Sequence, residues 1–281
     1  MTIAITLKVH DGVVLAADSA STLLQSSPEG VGVINVYNNA NKIFNLRKGL
    51  PIGAITWGAG NLGVASTSTL AKDLRRRFTD ESDEWHLNPE TYTIGEVAQH
   101  VKEFFFDQHY QEAFAEWPQK PELGFTIAGY SANSPLAEEY QVVIADGDCV
   151  GPTALRPPDD TGLTWNGNPE AITRLMFGVS TFTPQVLTTM GLGEQAQAIT
   201  DALSQQQVAP LVQAAMPIED AADLAEFLVH ATVRFVRFLP GADTVGGPIE
   251  IAAITKHEHF KWIKRKHYYS RELNPERNAD D

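Results

Sequence analysis

The second residue of the chain, Thr2, could act as a catalytic nucleophile once the methionine before it is removed. Initiator methionine is commonly removed when the next side chain is as small as threonine. The freed α-amine has an ordinary pKa of about 7.7 to 8.0, so part of it is neutral near pH 7 and can accept the hydroxyl proton. One residue would then supply both the nucleophile and its base. Many chains begin with Met-Thr, so the surrounding residues must decide.

Thr2 opens the segment MTIAITLKVHDGVVLAADS, which resembles the mature N-terminus of proteasome β subunits and their bacterial proteasome-like relatives. These proteins belong to the N-terminal nucleophile hydrolase superfamily. In them a threonine begins a strand, a glycine turn follows, and a small-small-aspartate run ends the next strand. The matching residues at the same spacings are Thr2, Gly12, Ala16, Ala17 and Asp18. Further on, NKIFNL resembles the family's lysine strand, PIGAITWGAGN its next strand and small-residue turn, and VGGPIEIAAITK its closing strand.

The resemblance implies a catalytic role for each matching residue. Lys42 corresponds to the family's catalytic lysine, whose ammonium favours the alkoxide of the nucleophile, and Asp18 would keep that lysine charged and oriented. Gly58, with Ala59 beside it, would donate backbone N–H groups to the oxyanion. The implied reaction is attack on a peptide carbonyl, formation of an ester to the threonine, and hydrolysis of that ester by water. This mechanism requires no metal and no organic cofactor.

The sequence departs from the family pattern at the residues that orient the terminal amine. Ala20 stands where the family has an arginine, Asn168 where it has a serine in a turn, and Val245 where it has a second serine. Asp243 is one residue out of register with the family's aspartate. We expect either that Asp243 and Asn168 replace the missing groups, or that the amine is poorly held and activity is low.

The turn at residues 10–12 decides which face of the sheet Asp18 occupies. A three-residue loop with Gly12 in the left-handed conformation would pair Ala4 with Asp18 and put the aspartate on the nucleophile's face. A two-residue loop would put it on the opposite face. We predict the three-residue loop, because an aspartate on the nucleophile's face can hold Lys42 beside the hydroxyl.

A layered frame is needed to bring these residues together. Alternating apolar residues predict strands at 3–9, 13–19, 41–46, 51–57, 125–130, 140–145, 248–255 and 260–264. Helical spacing predicts helices at 62–78, 94–114, 169–176, 194–203 and 218–238, and residues 26–39 look like a long surface excursion. This order lacks strict βαβ alternation and favours an α+β fold, a four-layer αββα sandwich of two packed antiparallel sheets flanked by helices.

The chain is interpreted as a single N-terminal nucleophile hydrolase domain over residues 1–273, followed by a polar tail at 274–281. The segment at about 177–217 is longer than is usual in the family. We expect it to cover the active-site mouth or to form a subunit contact.

Composition narrows the classes of partner. A net charge of −14 favours solubility and argues against binding to nucleic acid. The single cysteine, Cys149, excludes an intramolecular disulfide. No apolar run approaches the ~18 residues of a membrane span, and the first residues do not resemble a signal peptide, so we expect a cytoplasmic protein without a membrane partner. His257 and His259 lack an evident third ligand and are read as a surface pair rather than a metal site.

We interpret the protein as a threonine-type peptidase that cleaves peptides or unfolded proteins. The resemblance implies a homo-oligomeric ring, and whether an ATPase feeds the site is not readable from the sequence. Two alternatives stay open. One is a catalytically inactive ring or scaffold subunit, which the missing arginine and serine residues favour. It predicts that Met1 is retained, or that replacing Thr2 with alanine changes nothing measurable. The other is an amidase of the same superfamily that acts on a small non-peptide substrate.

Overall fold

The computed structural model of the protein describes residues 2–27 and 30–266. Met1 and the predicted tail at 274–281 lie outside the described residues. The strands, in chain order, are β1 (Ile3–Val9), β2 (Gly12–Ala17), β3 (Ser21–Ser27), β4 (Gly30–Tyr37), β5 (Ile43–Asn45), β6 (Ile52–Gly58), β7 (Asn61–Leu62), β8 (Ala65–Ser66), β9 (Leu123–Gly129), β10 (Glu138–Ala145), β11 (Asp148–Ala154), β12 (Gly162–Gly167), β13 (Glu250–Thr255) and β14 (His259–Lys264).

The helices lie in two groups along the chain, between β8 and β9 and between β12 and β13. They are α1 (Thr67–Thr79), α2 (Ile94–Lys102), α3 (Gln111–Ala113), α4 (Glu170–Phe177), α5 (Thr183–Leu187), α6 (Ala196–Gln207) and α7 (Ile218–Arg237). A π-helical stretch, Glu103–Tyr110, joins α2 to α3. Thr93 caps α2 and forms a reciprocal capping box with Glu96, which explains where this helix begins.

Two five-stranded, open antiparallel sheets form the frame. The strand order is β12-β1-β2-β13-β14 in the first sheet and β11-β10-β9-β6-β5 in the second. Apolar residues from the two facing surfaces form one core, which includes Leu15 of the first sheet and Ile55 of the second. The outer face of the first sheet packs on α4 and α7, and that of the second packs on α1 and α2. The predicted α+β fold, a four-layer αββα sandwich, is therefore confirmed.

The predicted loop between the first two strands is wrong. Val9 pairs with Gly12 and Ala4 pairs with Ala17, so the turn has two residues and Gly12 is the first residue of β2. A Cβ on Gly12 would lie 2.5 Å from the carbonyl oxygen of Ile254, so the close approach of β13 explains this glycine. Asp18 nevertheless reaches the inner site, because β2 ends at Ala17 and the next residue is freed from strict alternation.

Further elements differ from the sequence prediction in instructive ways. The predicted excursion at 26–39 is mostly a β-hairpin, in which β3 pairs with β4. Strands β11 and β12 were not predicted, because their residues are mixed or exposed and show no clean alternation. Among the residues that the structure describes, none of the helices combines the length and the apolar character that a membrane crossing requires.

Candidate active site

A cavity of about 960 Å³ opens beside the start of β1. Its walls come from four places: the first residues of the chain, both ends of the β3–β4 hairpin, the end of β6 with the first turn of α1, and an aromatic side near α3. Residues that line it include Thr2, Ala20, Ser21, Tyr37, Asn41, Lys42, Thr56, Gly58, Ala59, Ser68, Lys72, Phe114, Trp117 and Glu122. The sequence-predicted residues Thr2, Lys42 and Gly58 therefore share one cavity.

Asp18 and Lys42 form a buried ion pair at the inner end of this cavity. The Nζ of Lys42 lies 2.6 Å from Oδ1 of Asp18, and the two side chains are 7% and 0% exposed. The second carboxylate oxygen, Oδ2, accepts hydrogen bonds from the backbone N–H groups of Ala20 at 3.0 Å and Gly246 at 2.9 Å. Because every side of the carboxylate has a donor, its position is strongly determined.

Burial lowers the pKa of Lys42 from its ordinary value, since the charged form loses its hydration. The charge of Asp18 and its hydrogen bond to Lys42 act in the opposite direction. The ammonium is thus held by one carboxylate in a poorly hydrated place. Such a lysine can provide a positive charge and can release a proton more readily than a lysine on the surface.

The backbone around Thr2 is fixed on both sides. The carbonyl oxygen of Thr2 accepts a hydrogen bond from the N–H of Asn168 at 2.7 Å. The next amide, that of Ile3, donates to Oδ1 of Asp18 at 3.0 Å. Gly167 has φ +96°, and a Cβ there would lie 2.0 Å from the carbonyl oxygen of Thr2. Only glycine permits so close an approach, and Thr2 itself is 4% exposed.

The predicted oxyanion donors differ in their surroundings. Gly58 lines the cavity at the end of β6 with φ +86°, and a Cβ there would lie 2.1 Å from the carbonyl oxygen of Glu122. The N–H of Ala59 donates to that same carbonyl at 2.8 Å, so it is already engaged. Ala59 therefore does not fit the role of neighbouring donor, whereas the role of Gly58 stays a prediction. The first turn of α1, at Ser68, lies on the same wall.

The structure does not bring Asp243 to the cavity. This residue is exposed and is absent from the cavity lining, whereas the next two residues, Thr244 and Val245, are buried. Asn168 contacts Thr2 through its backbone N–H rather than through a side chain that replaces the family's serine. Asp243 lies in the irregular segment between α7 and β13, where no strand alternation fixes the direction of its side chain.

Two site residues were missed by the sequence reasoning. Gly246 donates its N–H to Asp18. Lys266 forms a second ion pair nearby, with its Nζ 2.8 Å from Oε2 of Glu250, and these side chains are 5% and 2% exposed. Glu250 could have indicated this ion pair, because a carboxylate at the start of the apolar strand β13 needs a buried cation.

The mouth of the cavity is largely aromatic. Tyr37 and Trp117 are 57% and 43% exposed there, and Phe114 is buried behind them. The indole N–H of Trp57 donates to Oε1 of Glu122 at 2.8 Å, which occupies one carboxylate oxygen of that wall. No residue of the segment 177–217 lines the cavity, so the prediction that this segment covers the active-site mouth is wrong.

In the part of the chain that the structure describes, no group of three or more His, Cys, Asp or Glu side chains is placed to hold a metal ion. The polar groups of the cavity are hydroxyls, amides, two lysines and Glu122. Such a set suits recognition of an amide or a carbonyl by hydrogen bonds.

No protein-family model and no curated protein matches this chain. Two solved structures are similar to it over nearly its whole length. Anbu (ancestral beta-subunit) from Yersinia bercovieri is 13% identical, with 95% of this chain and 89% of that chain covered and a TM-score of 0.48. An Anbu (Gly-1) mutant from Hyphomicrobium sp. strain MC1 is 16% identical, with 97% and 92% covered and a TM-score of 0.49.

These neighbours correct the family assignment made from the sequence. They are Anbu proteins, which are proteasome-like in name but form a distinct family, so the assignment to proteasome β subunits or bacterial proteasome-like peptidases is wrong. At these identities and TM-scores, no residue role passes from either neighbour to this chain.

Proposed function

We propose that the protein is an N-terminal-threonine hydrolase that cleaves peptide bonds, or related amides, through Thr2 after removal of Met1. The observation that carries the proposal is the buried Asp18–Lys42 ion pair, with Nζ and Oδ1 2.6 Å apart, at the inner end of a cavity that Thr2 also lines. A buried ion pair stabilises a fold only weakly, so its presence in a cavity favours a functional reading.

The chemistry follows from the groups present. The freed α-amine of Thr2 accepts the hydroxyl proton, the oxygen attacks the substrate carbonyl, and the amine part of the substrate leaves with that proton. The positive charge of Lys42 stabilises the developing alkoxide, and Gly58 lies on the wall where an N–H would meet the oxyanion. Water then hydrolyses the ester and restores the threonine.

The lining of the cavity favours substrates that carry an apolar side chain next to the cleaved bond. Phe114 and Trp117 form an apolar wall, and the exposed Lys72 is the cation nearer the rim. Peptides with aromatic or large aliphatic residues are therefore the proposed substrates. Comparing them with simple acyl amides that carry the same side chain distinguishes a peptidase from a small-substrate amidase, because only a peptidase gains from residues beyond the cleaved bond.

We further propose a homo-oligomer in the cytoplasm, with unfolded protein segments as natural substrates. What supports association is a group of exposed apolar side chains in and around α5, between residues 182 and 192: Phe182, Val186, Met190 and Leu192. Light scattering on the purified protein measures the mass of the assembly. A monomer at micromolar concentration would contradict this part of the proposal, and the catalytic part would stand unaffected.

The decisive experiment combines intact mass with a covalent probe. A peptide epoxyketone reacts with both the hydroxyl and the free amine of one N-terminal threonine, so a single adduct of the mature chain is the expected result. Thr2→Ala is the matched control, because alanine also permits methionine removal and lacks only the hydroxyl. Retention of Met1 in the wild type, or equal labelling of Thr2→Ala, would refute the proposal.

A non-catalytic scaffold subunit is the second candidate. The observation in its favour is the exposed position of Asp243, outside the cavity where an amine-orienting carboxylate was expected. This candidate predicts full retention of Met1 and no adduct under any condition. The same mass measurement therefore separates it from the hydrolase.

A further inference from the structure

Lys266 lies immediately after the last strand of the first sheet, and its side chain turns back into the protein. Its Nζ donates to Oγ of Ser19 at 2.6 Å, to the carbonyl oxygen of Ala40 at 2.6 Å, and to Oε2 of Glu250 at 2.8 Å. An ammonium has three N–H donors, and all three are used here. The hydroxyl hydrogen of Ser19 is committed to the carbonyl of Pro248 at 2.6 Å, so Ser19 can only accept from Lys266. The contacts therefore require the fully protonated lysine.

The two backbone segments that Lys266 joins are the two ends of the β3–β4 hairpin. Ser19 follows Asp18 directly, and Ala40 precedes Lys42 by two residues. The N–H of Ala40 donates to the carbonyl of Ser19 at 2.9 Å, which closes the base of the hairpin. Lys266 thus contacts both strands of chain that carry the Asp18–Lys42 pair, at the point where they run side by side.

The four buried charges form an alternating group. Lys42 pairs with Asp18, and Lys266 pairs with Glu250, which lies opposite Ala17 in the register of β13 and β2. All four side chains are at most 7% exposed. Two carboxylates therefore balance two ammonium groups in a poorly hydrated region, and removing any one leaves a buried charge without its partner.

We propose that Lys266 is a positioning residue, which holds Ser19 and Ala40 together and so fixes the Asp18–Lys42 pair beside Thr2. This inference rests on the proposed function. Its consequence is that the C-terminal end of the first sheet completes a site whose other residues lie near the N-terminus. The segment between β2 and β3 contains no basic residue, and Lys266 supplies a second cation to this inner region from the segment that follows β14.

The electrostatics support the same inference. The charge of Lys266 lowers the pKa of Lys42, whereas the charge of Glu250 raises it, although burial is the largest cause of the shift. Lys266 in turn faces Asp18 and Glu250, which favour its charge, and Arg265, which opposes it. Removing the Lys266 cation should therefore raise the pKa of Lys42, so that the ammonium on which the proposed mechanism relies persists to higher pH.

The test uses the full-length protein with Lys266→Met, Lys266→Arg and the double variant Lys266→Met/Glu250→Gln. The double variant removes both charges and avoids a lone buried carboxylate, so it keeps the test valid if the single variant folds poorly. The control is Lys264→Met, which changes an exposed lysine at the end of β14, and this lysine pairs with Glu226 on the surface. Two quantities are measured: the rate of epoxyketone labelling of Thr2 against pH, and hydrogen exchange of the Ala40 amide.

We expect Lys266→Met and the double variant to label on the order of 10-fold to 100-fold more slowly and to exchange the Ala40 amide faster. In Lys266→Met the alkaline limb of the labelling profile, where Lys42 loses its charge, should also shift to higher pH. Lys266→Arg should recover part of the rate, and Lys264→Met should match the wild type. Unchanged labelling, pH profile and exchange in both Lys266→Met and the double variant would overturn the proposal. A wild type that does not label at all would instead refute the proposed function, and the exchange of Ala40 would still decide whether Lys266 holds the two segments.

Discussion

The Nζ of Lys42 and the Ile3 amide donate to the same oxygen, Oδ1 of Asp18, at 2.6 Å and 3.0 Å. One atom therefore sets the distance between the lysine and the residue that follows Thr2. This shared acceptor explains how the two halves of the proposed site keep their relative position. It also makes the carboxylate of Asp18 the most sensitive group of the site.

Asp18→Asn should destabilise the fold strongly. If the amide oxygen faces Lys42 and Ile3, the NH2 group faces the N–H donors of Ala20 and Gly246, and Lys42 loses its counter-charge. We expect a loss of about 3 to 5 kcal/mol in the free energy of unfolding, as for a broken buried ion pair. Urea denaturation of the variant and the wild type measures this difference in the free energy of unfolding. The matched control is Asp73→Asn, which removes an exposed pair with Arg76 and should cost less than about 1 kcal/mol.

Lys42→Met should lower reactivity far more than it lowers affinity. The methionine keeps the volume of the side chain and removes the charge that stabilises the alkoxide, so labelling of Thr2 should slow on the order of 10²-fold. Lys72→Met is the comparison, because Lys72 is an exposed lysine that lines the same cavity. Equal rates for wild type and Lys42→Met would rule this lysine out of the mechanism.

Gly167→Ala should displace Thr2. The new Cβ would meet the carbonyl oxygen of Thr2, and the backbone at φ +96° already disfavours a side chain. Gly191→Ala separates the two effects, because Gly191 has φ +84° and nothing lies within 4 Å of its added Cβ. We expect Gly191→Ala to cost about 1 to 2 kcal/mol of strain and to leave labelling intact. Gly167→Ala should cost more and should also slow labelling, and equal behaviour of the two variants would contradict this reading.

Glu170 should make the free energy of unfolding depend on pH in the acidic range. Burial opposes its charge, but hydrogen bonds from Thr181 and Ser180 and the contact with Arg174 outweigh it and lower the pKa to about 2. A carboxylate whose pKa falls on folding stabilises the folded state above its ordinary value of 4.5. That contribution is lost as the pH falls toward about 2. Urea midpoints at pH 5 and pH 3 should therefore differ less in Glu170→Gln than in the wild type, whereas the exposed-site variant Glu194→Gln should keep the wild-type difference.

The layers of the fold were predictable because they depend on local patterns. Alternating residues in β1 and helical spacing in α7 each report which face is buried, and their order along the chain excludes a parallel sheet. The contact between Asp18 and Lys42 was also anticipated, although the hairpin register given as its reason was wrong. The strand ends one residue before Asp18, and a residue beyond a strand can turn toward either face.

The rest of the site depends on contacts that no local pattern encodes. Lys266 and Ser19 are 247 residues apart, and only the pairing of β13 with β2 brings their chain segments together. The placement of Asp243 was wrong for a related reason, since this residue lies in an irregular segment before β13 whose course no local pattern predicts. The type of most elements could therefore be predicted from the sequence, whereas the long-range polar contacts and the exact strand register could not.

The anchoring of Thr2 also bears on how the protein would mature. Its carbonyl is held by the Asn168 amide, and the amide that follows it is held by Asp18. Neither contact involves an atom of Met1. Removal of Met1 would thus leave the hydroxyl of Thr2 in the position that the folded chain already gives it. Activation would require cleavage of one peptide bond and no rearrangement of the backbone.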